Sequence, residues 1–186
     1  RMILASGSPR RKELLQMLEV PFEVLVSDTK EVITKNEPAE VTKELSYQKA
    51  MAVAEQVEEG IIIGADTVVS IDGKILGKPA DTEEAREMIY KLQGKSHMVY
   101  TGVTVIAKSG DMVSASSFAE GTKVNVAPMT ENEIEAYIST DEPYDKAGAY
   151  GIQGLFGKFI EGIKGDYFNV VGLPVHRLYE ELKKFD

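Results

Sequence analysis

The chain has 186 residues, a length that suits one domain or two closely packed lobes rather than two independent domains. Hydrophobic residues make up 43% and charged residues 27% of it, which is typical of a globular protein and excludes a disordered or fibrous one. The formal net charge of −9 disfavours nucleic-acid and anionic-membrane binding, because both need a positive surface. The absence of cysteine excludes disulfides, thiolate zinc sites and cysteine nucleophiles.

Neither a membrane span nor a secretory signal is predicted. No stretch approaches the roughly 18 consecutive apolar residues that a spanning helix needs. The apolar run at residues 2–5 is too short for a secretory signal and is soon followed by basic residues. We therefore expect a cytoplasmic location.

The first half of the chain is predicted to alternate strands and helices. In chain order it holds a strand at 2–6, a helix at 9–19, a strand at 22–26, a polar loop at 27–37, a helix at 38–59 and a strand at 61–71. Ser8 as N-cap and Pro9 at the first helical position mark the start of the first helix. Asp72-Gly73 is a two-residue hairpin signal and leads into a strand at 74–76.

The second half continues the alternation up to a glycine-dense segment. We expect a helix at 81–93, strands at 99–107 and 112–125, a helix at 130–138, glycine-dense chain at 148–172 and a last helix at 175–184. The hairpin at Asp72-Gly73 and the turn between the strands at 99–107 and 112–125 both imply that neighbouring strands are antiparallel. The predicted fold class is therefore α/β, with a mixed twisted sheet flanked by helices rather than a purely doubly wound sheet.

A basic turn follows the first strand, with the sequence Ser-Gly-Ser-Pro-Arg-Arg-Lys at residues 6–12. Three basic residues in the first turn of a helix oppose the helix dipole by roughly 0.3–1 kcal/mol each. A bound phosphate would resolve this conflict, because it would meet both the guanidinium groups and the unpaired N–H groups. A solvated basic helix end is the alternative explanation.

Asp66 lies inside an apolar strand whose sequence is Ile-Ile-Ile-Gly-Ala-Asp-Thr-Val-Val, residues 61–69. A buried carboxylate needs a cation, a metal or a water-filled cleft, since burial without a partner costs several kcal/mol. The alternative is a structural aspartate bound to the backbone at a bulge. Gly64, two residues earlier, would let another backbone or a ligand approach closely.

Three lysines occupy unusual positions. Lys49 interrupts the apolar stripe of the 38–59 helix, where it either extends its amine to solvent or reaches a site at the helix edge. Lys78 stands between Gly77 and Pro79. Lys146 lies in the glycine-rich run 145–154, which suits a loop shaped around a ligand as well as a flexible loop.

The remaining candidates favour structural roles. His97 and His176 have no partner at metal-ligand spacing, so both are expected to be structural or on the surface. Tyr150 and Tyr167 could stack on a base, but packing is the preferred interpretation. No Walker A pattern occurs in the sequence.

Five short blocks together resemble the Maf family of nucleoside triphosphate pyrophosphatases, essentially from end to end. They are Ser-x-Ser-Pro-Arg-Arg at 6–11, Gly-Ala-Asp-Thr at 64–67, Gly-Lys-Pro at 77–79, Asp-Lys-Ala-Gly-Ala-Tyr-Gly-Ile-Gln-Gly at 145–154, and Gly-x-Tyr followed by Val-x-Gly-Leu-Pro ending at 174. Each block alone is unspecific, whereas all five in order are specific.

The resemblance implies a single domain over residues 1–186 with two lobes and a central cleft, similar to the inosine triphosphatase group. It implies hydrolysis of a nucleoside triphosphate to the monophosphate and pyrophosphate, with Mg²⁺ or Mn²⁺ as cofactor. The substrate is then the expected partner, without nucleic acid or membrane. The family is often dimeric, and no feature of this sequence decides for or against a homodimer.

The resemblance and the residues described above together give the expected site residues. Asp66 is similar to the family's general base, and Glu31 with Asp66 would bind the metal. The expected phosphate contacts are Ser6, Arg10, Arg11, Lys49, Lys78 and Lys146. Arg11, Thr67 and Gln153 match the subgroup that prefers dTTP and UTP, and a glutamine amide can read a pyrimidine edge. Two alternatives stay open: a nucleotide-binding regulator of cell division and septum formation with little turnover, and a broad house-cleaning enzyme for modified nucleotides.

Overall fold

Seven strands and six α-helices make up the regular structure of residues 1–185, which a computed structural model describes. The strands are β1 (Met2–Leu4), β2 (Glu23–Val24), β3 (Glu59–Ile71), β4 (Lys74–Leu76), β5 (Ser96–Ser109), β6 (Met112–Val126) and β7 (Ile160–Lys164). The helices are α1 (Pro9–Leu15), α2 (Pro38–Ala54), α3 (Thr82–Leu92), α4 (Glu131–Ile138), α5 (Tyr167–Val171) and α6 (Val175–Leu182). None of the helices described is both long and apolar enough to cross a membrane.

The strands form one mixed sheet in the order β2-β1-β3-β5-β6-β7, with β4 paired to β3. β1 runs parallel to β2 and β3, because a helix connects each consecutive pair of these strands. β4 is antiparallel to β3 across the turn at Asp72 and Gly73, whose φ angles of 51° and 76° suit a tight hairpin. The predicted mixed α/β sheet flanked by helices is confirmed.

The chain divides into two compact units. Unit 1 contains Arg1–Asp66, Thr101–Glu120 and Gly172–Asp186, and unit 2 contains Thr67–Tyr100 and Gly121–Val171. The long strands β3, β5 and β6 each contribute residues to both units. The cleft between two lobes that the resemblance implies stays a prediction.

The largest differences from the sequence-based prediction lie in two parts of the chain, although α1 and β2 are also shorter than expected. The helix expected to reach residue 59 ends at Ala54, and strand β3 begins at Glu59. The glycine-dense segment 148–172 contains β7 and α5, which the local sequence did not predict. β7 is antiparallel to β6, so pairing with a distant strand overrides its weak local signal.

An aromatic cluster lies in the core of unit 2 and includes His97. Its Nε2 atom is 2.5 Å from the hydroxyl of Tyr150, and the two rings meet edge to face. Tyr150 in turn packs against Phe156, which is fully buried. Burial lowers the pKa of His97 from 6.5 to about 4. His97 and Tyr150 therefore have the structural roles expected from the sequence.

We expect acid to destabilise the protein through His97. The unfolded state binds a proton near pH 6.5, whereas the folded state resists protonation until about pH 4. The contribution of His97 to the free energy of unfolding is therefore fully present above pH 6.5. It falls by about 3 kcal/mol in total as the pH drops from 6.5 to 4. Urea unfolding between pH 7 and 4 measures this. His97→Gln should flatten the pH dependence, whereas His176→Gln, at an exposed position, should leave it unchanged.

Candidate functional site

Close contact between α2 and β3 builds the centre of unit 1. A Cβ atom added to Gly64 would lie 2.5 Å from the carbonyl oxygen of Ser46 and 2.9 Å from the amide nitrogen of Ala50. Both atoms belong to the backbone of α2, so glycine is what lets the strand touch the helix. Of the two explanations for Gly64, the close approach of another backbone is the one observed. This contact places Lys49 of α2 beside Asp66 of β3.

The ion pair between Lys49 and Asp66 satisfies one oxygen of the aspartate. Lys49 Nζ lies 2.7 Å from Asp66 Oδ1, and Asp66 is only 8% exposed. The other oxygen, Oδ2, is buried and accepts no hydrogen bond from any residue in 1–185. An unsatisfied buried oxygen costs about 1–3 kcal/mol, so Oδ2 is available to a water molecule, a metal or a substrate. The Lys49 side chain therefore extends to the carboxylate of Asp66, and its place in a functional site stays a prediction.

Glu31 approaches the same lysine from an exposed loop. Its Oε1 atom lies 3.9 Å from Lys49 Nζ, and its side chain is about half exposed. The ammonium group thus lies near two carboxylates, one buried and one open to solvent.

Two residues of α2 that the sequence analysis did not single out hold the loop of Glu31. The Gln48 side chain accepts a hydrogen bond from the Val32 amide at 3.0 Å and donates one to the Val32 carbonyl at 2.7 Å. Glu44 accepts from the amide and the hydroxyl of Thr34, and these bonds lower the pKa of Glu44. Glu44 and Gln48 are four residues apart on a helix, a spacing that puts them on one face. The spacing shows in the sequence that the two side chains share a face, but it does not indicate which loop they bind.

The basic turn after β1 folds around the hydroxyl of Ser6. Ser6 Oγ accepts hydrogen bonds from the Ser8 amide at 3.2 Å and from Arg11 Nη1 at 3.4 Å. Ser8 caps α1 as predicted, since its Oγ accepts from the Arg11 amide at 3.3 Å. Arg11 Nε also donates to the carbonyl of Gly172 at 2.8 Å, which fixes the guanidinium from a second side.

The guanidinium of Arg11 interacts electrostatically with the carboxylate of Asp66. Burial lowers the pKa of Arg11, the negative charge of Asp66 opposes that effect, and the neighbouring Arg10 adds to it. The structure therefore brings Ser6, Arg11, Lys49, Asp66 and Glu31 together within unit 1, with Arg10 beside Arg11.

Lys78 and Lys146 lie on neighbouring loops of unit 2. The Gly148 amide donates a hydrogen bond to the Gly77 carbonyl at 3.1 Å, which ties the two loops together. Lys78 is exposed, whereas Lys146 is partly buried and its Nζ donates to Asp145 Oδ1 at 2.8 Å.

The two other residues predicted to set specificity differ in exposure. Gln153 is exposed on the turn at residues 151–154. Thr67 is half-buried and directly follows Asp66 on β3. Unit 2 thus holds Lys78, Lys146, Gln153 and Thr67.

A metal held by protein side chains alone is not supported. No group of three or more histidine, aspartate or glutamate side chains that could hold a metal ion occurs in the part of the chain that the structure describes. Glu31 and the buried Oδ2 of Asp66 offer two carboxylates, both near Lys49. This donor set fits Mg²⁺ or Mn²⁺ only when other oxygens, such as those of a phosphate chain, complete the coordination.

A family model described as "Maf-like protein" matches residues 1–185. The chain belongs to the Maf-like family. A curated relative from Bacillus cytotoxicus, named dTTP/UTP pyrophosphatase, is 54% identical over 187 residues, covering 100% of this chain and 96% of the relative. A Bacillus cereus protein with the same name is 50% identical over the same coverage. Membership in the Maf-like family, predicted from five sequence blocks, is confirmed.

The Maf-like chain also resembles a solved structure of distant sequence, the Ham1 protein of Staphylococcus aureus. The TM-score is 0.56 at 12% identity, and the match covers 100% of this chain and 99% of that one. At such low identity the likeness supports the α/β fold alone.

Proposed function

We propose that this protein hydrolyses nucleoside triphosphates, with dTTP and UTP preferred, to the monophosphate and pyrophosphate. The observation that carries the proposal is the state of Asp66. One of its oxygens is bound to Lys49, and the other is buried without a partner among residues 1–185. The guanidinium of Arg11, fixed on two sides, interacts electrostatically with this carboxylate. The two Bacillus relatives named dTTP/UTP pyrophosphatase support the choice of substrate.

Charge neutralisation is the first task of the site. A nucleoside triphosphate has about four negative charges, so most of the catalysis has to come from positioning and electrostatic stabilisation. We assign Ser6, Arg10, Arg11 and Lys49 of unit 1 to the phosphate chain. Lys78 and Lys146 are proposed as further phosphate contacts, and Arg11, Thr67 and Gln153 as the residues that set specificity.

The proposed reaction is an in-line displacement at the α-phosphorus. The oxygen of a water molecule forms a bond to that phosphorus, the bond to the α–β bridging oxygen breaks, and pyrophosphate leaves with the bond's electron pair. Asp66 Oδ2 orients the water and accepts its proton. Water is a far weaker acid than a protonated carboxyl group, so the proton moves with the transition state rather than before it.

A divalent cation, Mg²⁺ or Mn²⁺, is proposed as the cofactor. Glu31 and Asp66 would hold it together with phosphate oxygens of the substrate, since hard cations prefer oxygen ligands. When bound, the cation lowers the pKa of coordinated water and neutralises phosphate charge. Lys49 Nζ lies within 4 Å of an oxygen of each carboxylate.

Release of pyrophosphate from a panel of triphosphates tests the proposal. We expect dTTP and UTP to give the highest kcat/KM values in the presence of Mg²⁺ or Mn²⁺. Tight nucleotide binding with little turnover would favour the alternative of a division and septum regulator. Higher kcat/KM for modified nucleotides than for dTTP and UTP would favour a house-cleaning enzyme. A cytoplasmic location and a homodimer stay predictions, the second measurable by light scattering.

Replacing Gln153 by glutamate should weaken the preference for pyrimidines. A glutamine amide offers both a donor and an acceptor to the base, whereas a carboxylate only accepts. We expect about a tenfold loss of selectivity for UTP over GTP, measured as a ratio of kcat/KM values. Gln16→Glu, an equal charge change at an exposed position of unit 1, is the control. An unchanged ranking of substrates would place base selection in other residues.

A further inference from the structure

Glu142 binds the backbone just after the turn that carries Gln153. Its Oε1 atom accepts a hydrogen bond from the Leu155 amide at 2.7 Å, and its Oε2 atom accepts one from the Phe156 amide at 3.3 Å. These are the first two amides of the 3₁₀ helix Leu155–Phe159, and they have no earlier turn of helix to supply acceptors. A carboxylate therefore anchors the end of the turn.

A single backbone hydrogen bond closes the turn that carries Gln153. The Gly154 amide donates to the Gly151 carbonyl at 3.1 Å, which leaves Ile152 and Gln153 at the two central positions. Gln153 is exposed there. Its backbone is fixed on one side by this bond and on the other by the carboxylate of Glu142.

Gly154 leaves the space that the carboxylate occupies. A Cβ atom added to Gly154 would lie 2.0 Å from Glu142 Oε1. The φ angle of Gly154 is −100°, so its backbone does not itself require glycine. The glycine is explained by the carboxylate packed against it.

Tyr137 supports the carboxylate from the buried side. Its hydroxyl lies 2.7 Å from Glu142 Oε2 and 2.9 Å from the Ala149 carbonyl. Burial raises the pKa of Tyr137, and the hydrogen bond to Glu142 raises it further, so the hydroxyl keeps its proton and remains a donor. Glu142 thus joins the core of unit 2 to the surface turn.

We infer that Glu142 is a positioning residue that sets nucleotide specificity through Gln153. The inference rests on the proposed function, because Gln153 is taken as the residue that reads the base. Hydrogen bonds between amides and a carboxylate are stronger than neutral ones, so their loss frees the turn. Gln153 then samples orientations that no longer discriminate between bases.

Glu142→Gln is the first test, because the amide keeps the size of the side chain and removes its charge. We expect the ratio of kcat/KM for UTP over GTP to fall about tenfold. The change should come mainly from KM for UTP, with kcat changed less. Glu161→Gln, at an exposed position of β7, is the control with the same charge change and should leave the ratio unchanged.

Gly154→Ala is the second variant. It removes the same contact in a different way, so the inference can still be tested if Glu142→Gln does not fold. The new methyl group displaces only the end of a flexible side chain, so the fold should persist while the carboxylate leaves the two amides. The variant should repeat the selectivity loss of Glu142→Gln. A uniform loss of activity on all nucleotides in both variants would instead indicate a merely structural role and overturn the inference.

A double-mutant comparison shows whether Glu142 acts through Gln153. The Gln153→Ala variant and the Glu142→Gln/Gln153→Ala double variant should have the same UTP over GTP ratio, since the second change has nothing left to position. Independent effects that multiply would overturn the inference.

Amide hydrogen exchange separates this inference from the proposed function. Exchange at Leu155 and Phe156 should accelerate at least about tenfold in Glu142→Gln, and this needs no turnover. If no triphosphate is hydrolysed by the unmodified protein, the proposed function fails, and nucleotide titration can still detect altered selectivity. Unchanged exchange at both amides overturns the positioning role regardless of activity.

Discussion

Asp66→Asn should reduce pyrophosphate release by about 10²–10⁴-fold, the range that a positioned general base contributes. The amide has the shape of the carboxylate and its oxygen still accepts the hydrogen bond from Lys49, which is now 2.7 Å long. It cannot accept the proton of the attacking water, because an amide nitrogen is not basic. Steady-state release of pyrophosphate from UTP measures the loss.

Two controls identify the cause of that loss. Asp111→Asn removes an equal charge at an exposed position of unit 1 and should leave kcat unchanged. Binding of a non-hydrolysable UTP analogue to Asp66→Asn should stay within about tenfold, since the cations on the phosphate chain remain. Retained turnover would remove Asp66 from the mechanism.

The sequence predicted those parts of the fold whose signals are local. Ser8 and Pro9 marked the start of α1, and Asp72-Gly73 marked the hairpin between β3 and β4, because caps and tight turns depend on a few adjacent residues. β7 was missed, since its strand state comes from pairing with β6 and its own sequence, Ile-Glu-Gly-Ile-Lys, has a glycine in the middle.

The residues of the candidate site also fall into two groups, those that the sequence indicates and those whose contacts appear only in the structure. Asp66 was identifiable because a carboxylate inside an apolar strand needs a partner, and its partner proved to be Lys49, a lysine that was unusual for the same reason. Gln48 and Glu142 act on backbone amides of distant loops. No residue type marks such a contact in a sequence, so only the structure reveals it.

Gly64→Ala should strongly destabilise the protein through the contact between α2 and β3. The added carbon would lie 2.5 Å from a backbone oxygen and 2.9 Å from a backbone nitrogen of α2, and neither atom can rotate away as a side chain would. Overpacking of this kind costs about 1–3 kcal/mol, and the backbone contact argues for the upper end. For a protein of this size, 3 kcal/mol corresponds to a fall in Tm of roughly 6–12 °C.

Gly162→Ala is the matched control, because the same methyl group on β7 would meet no atom within 4 Å. Thermal unfolding of the two variants should separate them clearly, with Gly162→Ala within about 2 °C of the unmodified protein. Activity adds a second measurement. If α2 moves away from β3 to admit the methyl group, Lys49 moves away from Asp66, so turnover by folded Gly64→Ala should fall even well below its Tm. A stable and fully active Gly64→Ala variant would show that the contact between α2 and β3 does not hold the lysine in place.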